Sequence, residues 1–477
     1  MAECESKQET KNCGAGGVDG PPLADGRYDV ILLGSNAKHC ILAWRLQMAG
    51  LSCLVVDENF FYGGDSASLR PADLAKLSNQ TLPELEALKS AAFAIDLAPK
   101  LILARGNLVQ LLLESQTEEY LEFGALSGSF VQHNGKPVKA PATSVEAAKT
   151  PLVSMMQKRK LRSFIKAYLE QEQETRDTPQ AQTAKELFDQ AGLSDATQAF
   201  IGHVLALRPD DSFLTEPAGN VLDSLRLYAR SLSVTGQSPF VYPKYGIGTI
   251  AEAFSRRSAL AGATYMLGTP VDAVEAGPKS EANQGARVVA DGCVATAELI
   301  VSDPAYRAAF PFGTSKLLGP PVRIHRRIWI MDRHPACFAS RMSAQIIIPQ
   351  SETGRQHDIY VVALNGDHRV CPPHLHICVA ATVADENASA DQLGAADALV
   401  GSEGIVCRFS FEYKAFLRPQ HPPAGTPWLF SASEDATSHF ESMMADVDRL
   451  TRSVLERMGR SGEGDPPPES VSRVAKK

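Results

Sequence analysis

The sequence predicts an α/β protein: a doubly wound, Rossmann-type sheet domain interrupted by a small all-helical domain. Three observations carry this prediction. A buried-strand run, Tyr28-Asp29-Val30-Ile31-Leu32-Leu33, ends on Gly34 and leads through a helix into a second apolar strand. Between 143 and 236 the apolar residues change to helical spacing. Beyond 237 the pattern returns to strands and turns.

The elements follow in order. Residues 1–26 hold Gly, Pro, Glu, Lys and Gln with few large apolar groups, so the sequence predicts a disordered tail. In the helix after Gly34, Ala37, Cys40, Ile41, Trp44 and Met48 share a face, and Gly50 ends it. The strand Cys53-Leu54-Val55-Val56-Asp57 completes a βαβ unit, and the first part of the sheet domain spans 27–142. In the helical domain, 143–236, Leu161, Phe164, Ile165 and Tyr168 form a stripe beside Lys158-Arg159-Lys160. The acidic, Gln-rich stretch 170–183 reads as a solvated linker. Phe200 to Leu207 and the series Val221, Leu222, Leu225, Tyr228, Leu232 predict two further helices. The second part of the sheet domain, 237–459, shows strands at 297–303, 345–350 and 358–364 and an amphipathic helix near 440–458. Residues 460–477 again read as a tail.

Composition narrows the function. The chain of 477 residues is 44% hydrophobic and 21% charged, values of an ordinary globular protein with a sizeable core. A formal net charge of −8 gives no global attraction to nucleic acid or to an anionic membrane, so any basic site is local. The longest apolar run, Leu101 to Leu113, is broken by Arg105 and Asn107 and is too short to span a bilayer. Nine cysteines without a tight framework read as reduced thiols, which points to the cytoplasm.

At the first strand–helix turn a dinucleotide fold carries G-x-G-x-x-G: one glycine for the turn, one for approach of the pyrophosphate, one for helix–strand packing. This chain reads Gly34-Ser35-Asn36-Ala37-Lys38-His39, which keeps only the first. Asn36 stands where the pyrophosphate would lie, and His39 brings a ring to the helix–sheet contact. Asp57 does stand where an acid would hold a ribose. The expectation is a Rossmann scaffold with no cofactor, neither flavin nor NAD. Cys371, His374, His376 and Cys378 are not spaced as paired zinc ligands and read as an ordinary strand, so no metal is expected. No P-loop, G-x-S-x-G or H-E-x-x-H occurs, and no catalytic residue is proposed.

The residues resemble one family. Tyr28 to Gly34, Asp57-Glu58-Asn59 and Tyr62-Gly63-Gly64-Asp65-Ser66 are similar to the opening of Rab GDP dissociation inhibitors. Gly202-His203-Val204-Leu205-Ala206-Leu207, Ser238-Pro239-Phe240-Val241-Tyr242-Pro243, Tyr245-Gly246-Ile247-Gly248, Gly262 to Leu267, Ser302-Asp303-Pro304 and Asp435 to Glu441 follow collinearly, so the resemblance spans about 27–459. The sister Rab escort proteins share the early motifs. The strand Gln345-Ile346-Ile347-Ile348 and Asp358-Ile359-Tyr360-Val361 favour the inhibitor branch.

The resemblance implies a flavoprotein-like sheet domain that has lost its cofactor, and a helical insert. It implies a non-catalytic regulator that binds geranylgeranylated, GDP-bound Rab GTPases, extracts them from membranes and slows GDP release. Such a protein is a monomer that cycles between cytoplasm and a transient membrane contact and takes no nucleic acid. The resemblance places a Rab-binding platform at Tyr62, Thr249, Glu252, Arg256, Thr264 and Met266, and the region for the Rab C-terminal tail at Ser238 and Phe240. Leaving a bilayer requires another apolar site for the lipid, at about 0.8 kcal/mol per buried CH₂. Met155, Met156, Leu161, Ile165, Ile201, Val204, Leu205, Leu225 and Leu232 are its candidate lining. Three departures stand out. The family's Glu after Gly-x-Gly is Thr249 here, with Glu252 one turn on; its Arg-Tyr-Gly-Lys-Ser-Pro is Val234-Thr235-Gly236-Gln237-Ser238-Pro239; its Asp-Trp-Asn-Val-Asp-Leu is Ala92-Phe93-Ala94-Ile95-Asp96-Leu97. An escort protein that presents Rabs to a prenyltransferase and a flavin-dependent oxidoreductase remain the alternatives.

Overall fold

The computed structural model describes residues 20–460, apart from 79–87, 89–91, 170–181, 280–283, 339, 341, 386–390 and 424. The predicted βαβ unit is present. The strand Pro22–Leu33 lies at the centre of a seven-stranded sheet and pairs in parallel with Cys53–Val56 on one side and Cys293–Ser302 on the other. Thr264–Met266 extends the sheet beyond Cys53–Val56 as a parallel edge strand. On the other side Trp428–Phe430 pairs in parallel with the end of Cys293–Ser302. An antiparallel meander through Gln284–Ala290 and Val271–Lys279 completes it. Val30 to Leu33 are wholly buried because both faces are covered, Val30 and Leu32 by helices and Ile31 and Leu33 by the meander with Tyr306 and Phe310, which is why this strand reads as a continuous apolar run rather than an alternating one. The helix Ala37–Met48 packs between Glu441–Arg457 and Gly248–Leu260, with the Trp44 and Phe254 rings edge to face at 6.3 Å.

A second seven-stranded sheet runs Ile405–Ala415, Val322–Met331, His376–Val383, Ile359–Asn365, Ala344–Ile348, Gly128–His133, Lys136–Lys139. All its pairs are antiparallel except Ala344–Ile348 with Gly128–His133. The strands expected near 345–350 and 358–364 belong to this separate sheet. Their continuous apolar runs look the same in either setting.

From Ser144 to Thr235 the described elements are helical. Met155–Tyr168 is capped by Ser154, and Ala184–Gln190 by a Thr183/Glu186 capping box. Asp195–Ala199 runs on into a π-type turn, Phe200–Leu205, and Ala218–Thr235 ends at Gly236 with φ +71°. Gly202 lies against the Phe213 ring so closely that an added Cβ would stand 2.0 Å from Cζ. The same turn aims His203 at two carboxylates, Asp358 Oδ2 at 2.9 Å and Asp211 Oδ1 at 3.0 Å. Gln350 ties the two acids together, its N–H donating to Asp358 and its side-chain amide to Asp211. This polar clamp joins the helical segment to the second sheet.

The structure corrects two expectations. Residues 22–26 belong to the first strand, which begins at Pro22, and Leu23 is buried among Tyr28, Phe310 and the meander, an apolar cover that local composition does not reveal. Residues 1–19, most of the 170–183 linker and 461–477 lie outside the described residues. His374 does not belong to the strand of His376 and Cys378. It sits exposed in the turn before His376–Val383, where Pro372 and Pro373 delay strand entry.

Candidate functional site

The position a dinucleotide would take is filled by the chain's own side chains. Asp57 Oδ2 accepts from Ser35 N–H at 2.7 Å and Ser35 Oγ at 2.6 Å. Its Oδ1 accepts from Asn59 N–H at 2.8 Å, Asn59 Nδ2 at 2.9 Å and the Tyr306 hydroxyl at 3.1 Å. No lone pair is left for a ribose. Asn36 caps the helix at His39 N–H, and its amide donates to Asp303 at 2.6 Å. His39 is wholly buried, hydrogen-bonded to Gly34 O at 3.0 Å and Ser431 Oγ at 3.1 Å. Burial, with Lys38 beside it, pushes its pKa down to about 4, so the ring is neutral. Lys38 is itself buried and pairs with Glu434 at 3.4 Å. An Asn side chain and the Asp303 carboxylate thus occupy the helix N-terminus that would hold pyrophosphate. These residues do not fit a dinucleotide, and no reaction is derived through one.

The platform residues cluster around the helix Gly248–Leu260 and the edge strand Thr264–Met266. The entry to this helix is built on Asp96, whose carboxylate accepts from Ile247 N–H at 3.0 Å and from the hydroxyls of Ser68 and Tyr242. Burial pushes its pKa up to about 6 against the pull of those donors, so it is ionised at neutral pH. Gly246 adopts φ +87°, and a Cβ there would stand 2.3 Å from Ser68 Oγ and 2.6 Å from Asp96 Oδ1. Gly246→Ala combines backbone strain with collision and is expected to cost about 1–3 kcal/mol, read as a lower urea midpoint with unchanged slope.

Tyr62 is half-buried, its ring edge to face with Tyr265 at 5.7 Å. The Tyr265 hydroxyl shares a 2.7 Å hydrogen bond with Ser258, on the helix that carries Arg256. Thr264 and Met266, half-buried, flank Tyr265 in the strand and lean to its other face. Arg256 is exposed and stacks on the Tyr120 ring at 4.6 Å, a cation–π contact that holds the guanidinium in place. Thr249 does not replace the family's charge. Its hydroxyl turns back to Gly246 O at 2.7 Å. Glu252 is exposed on the same helix.

Sequence reading missed several neighbours. Tyr245 is 49% exposed at φ +67°, an uncommon backbone for tyrosine, and its hydroxyl accepts from Arg369 at 3.0 Å. Phe60 and Phe61, immediately before Tyr62, are 88% and 46% exposed. A Phe-Phe-Tyr run before a Gly-Gly turn was the available signal for exposed aromatics. Nothing local marks Tyr120 or Tyr245.

The remaining candidates differ in their setting. Ser238 and Phe240 are wholly buried: Ser238 Oγ accepts from Phe240 N–H at 3.3 Å, and the Phe240 ring meets Tyr228. They hold the strand Phe240–Pro243 and present no side chain to a partner. The lipid candidates divide. Ile201 and Leu225 lie in the core around Phe164, Phe188 and Phe213. Val204 packs with Val131, Val153 and Phe200, while Leu161 and Leu205 touch both groups. Leu232 packs on the main core, and Ile165 is half-buried. Met155 and Met156 stand out in solvent, at 66% and 70% exposure. The helical interior is filled by its own side chains.

The fold is a dinucleotide-binding architecture whose nucleotide position is filled by its own side chains. The family model for GDP dissociation inhibitors matches residues 24–459, and the chain belongs to that family. It is 36% identical over 430 residues to a guanosine nucleotide diphosphate dissociation inhibitor of Arabidopsis thaliana, covering 89% of this chain and 94% of the relative. It is 33% identical over 434 residues to the Rab GDP-dissociation inhibitor of Saccharomyces cerevisiae, with the same coverage of 89% and 94%. The crystal structure of a Rab GDI from Plasmodium falciparum superposes with a TM-score of 0.79 at 30% identity, covering 94% of this chain and all of that one. An oxidoreductase from Methanosarcina mazei matches with a TM-score of 0.57 at 13% identity, covering 89% and 100%, which shows a shared fold alone.

Proposed function

We propose that this protein is a Rab GDP-dissociation inhibitor: it binds geranylgeranylated Rab GTPases in the GDP state, extracts them from membranes and slows GDP release. The observation that carries the reading is the family match over residues 24–459, on a fold whose nucleotide position is closed by its own side chains; the Tyr62–Tyr265 pair and the Arg256–Tyr120 stack are its candidate anchors. A stacked arginine and a half-buried tyrosine each suit an interface anchor. The protein acts as a non-catalytic regulator. In this reading residues 143–236 form a helical domain that accepts the lipid, and because its interior is filled, its helices part to admit a C20 chain around Ile201, Val204 and Leu225. It works as a monomer in the cytoplasm and meets the membrane transiently.

The test is extraction. Membranes carrying geranylgeranylated Rab, loaded with GDP or with a GTP analogue, are mixed with the protein and soluble Rab is measured. Release of the GDP form alone is expected. Tyr62→Ala and Arg256→Ala are each expected to weaken extraction about tenfold, the loss of at least 1 kcal/mol typical of an anchor residue. Equal release of both nucleotide forms, or of neither, overturns the reading.

A further inference from the structure

The helix Met155–Tyr168 has an exposed face that the proposed Rab surface does not use. Its sequence, MMQKRKLRSFIKAY, carries five cations and no acid in a chain of net charge −8. Of its residues only Phe164 is fully buried. Met155, Arg159, Arg162 and Lys166 are spaced i, i+4, i+7, i+11, so they form one stripe on the side opposite Phe164. All four are exposed. Lys158 and Lys160 are tethered to carbonyls, Ala148 O at 2.9 Å and Gly192 O at 2.7 Å, rather than to acids. Arg159, Arg162 and Lys166 have no carboxylate partner among the described residues. The stripe begins with Met155, 66% exposed, and Met156 beside it is 70% exposed.

We propose that this face is a docking surface for an anionic lipid bilayer: Arg159, Arg162 and Lys166 lie over the acidic headgroups, and Met155 and Met156 enter the acyl boundary. The proposal rests on the inhibitor reading for its purpose, because extraction brings the protein to a membrane, but the surface stands on its own geometry. Charge selects an acidic partner. The flexible apolar pair at the end of the cationic stripe favours a bilayer over an acidic protein, since methionine side chains gain from entering lipid. Phe164 anchors the helix to the core, so the stripe is held outward whether or not a membrane is present.

The experiment uses the full chain without Rab and flotation on phosphatidylcholine vesicles with and without phosphatidylserine. Binding to the anionic vesicles alone is expected, and it is lost near 1 M salt, where the screening length shrinks to about 3 Å. Reversal of all three cations, R159E/R162E/K166E, is expected to weaken binding on the order of a hundredfold or more. M155S/M156S is expected to weaken it by a smaller, salt-insensitive factor, and R159K/R162K to retain it. No binding to anionic vesicles, or equal binding by the triple variant, overturns the proposal. Capture by soluble polyglutamate without vesicle binding also overturns it and reassigns the face to an acidic protein. GDP release from prenylated Rab, measured without membranes, separates the two readings. The triple variant is expected to slow it as the unaltered chain does. An unaltered chain that floats with vesicles but leaves GDP release unchanged sinks the inhibitor reading and leaves the surface.

Discussion

Lys100→Met is expected to lower stability by about 3–5 kcal/mol, the cost of stranding one member of a buried ion pair. The Lys100 side chain is 1% exposed. Its ammonium pairs with Asp435 and donates to Thr437 O at 2.7 Å and Thr437 Oγ1 at 3.3 Å. The backbone beside it locks the same two segments: Leu101 N–H donates to Ser438 O at 2.8 Å, and Phe440 N–H to Leu101 O at 3.0 Å. Burial alone would raise the Asp435 carboxyl, but Lys100 overrides it and holds the group well below the usual carboxylate range. A depressed folded pKa contributes stability that is present above about pH 4, the unfolded value, and is lost as acid protonates the group. Without the lysine, burial dominates and protonation relieves the stranded charge. The deficit of Lys100→Met is therefore expected to shrink from pH 7 to pH 5, and Lys100→Met/Asp435→Asn is expected to recover much of the loss. A urea series on the four proteins measures both effects, and an additive double variant would show that the pair is not coupled.

His203→Ala is expected to show the opposite pH signature. Burial, the largest influence on this imidazole, would lower its pKa. The Asp358 and Asp211 carboxylates outweigh it and bring the value up to about 9. A raised folded pKa means that the folded state holds a proton the unfolded state gives up above about 6.5. The contribution is complete below pH 6.5 and is lost as pH rises through 9. The span from 6.5 to about 9 corresponds to about 3 kcal/mol at most, reduced because the Asp211 side chain is 54% exposed to solvent. The unaltered protein is therefore expected to lose about 2 kcal/mol between pH 6.5 and 9 that His203→Ala does not lose. At pH 6.5 the variant is less stable, because Asp358 stays buried with its charged partner gone. Urea midpoints of both proteins across this range decide it; parallel curves would show that His203 is neutral in the fold. The clamp ties the helical segment to the second sheet, so its release is expected to loosen that contact.

The parts of the molecule legible in the sequence are those whose cause is local. The opening strand and helix could be read because uninterrupted apolar residues demand two covered faces, and helical spacing demands one. The damaged nucleotide site was visible because each missing glycine has a fixed task a few residues away. Tyr62 and Arg256 could be placed only by collinear motifs. Ser238 and Phe240 were misplaced because a motif records that residues recur, not which way they point. The polar clamp escaped notice because His203 and Asp358 are 155 positions apart, and a lone histidine in an apolar run has no pattern of its own.

By itself, the sequence determined the element types, the family, the loss of the nucleotide fingerprint and the basic character of the helix at Met155–Tyr168. Only the tertiary structure decided that Asp57 is saturated, that Lys100 meets Asp435, that Tyr62 leans on Tyr265, and that the cationic stripe faces away from Phe164. The physical reason is range. Periodicity acts over one helical turn or two strand residues, while burial and charge pairing depend on which sheet edge or helix closes over a side chain from hundreds of residues away.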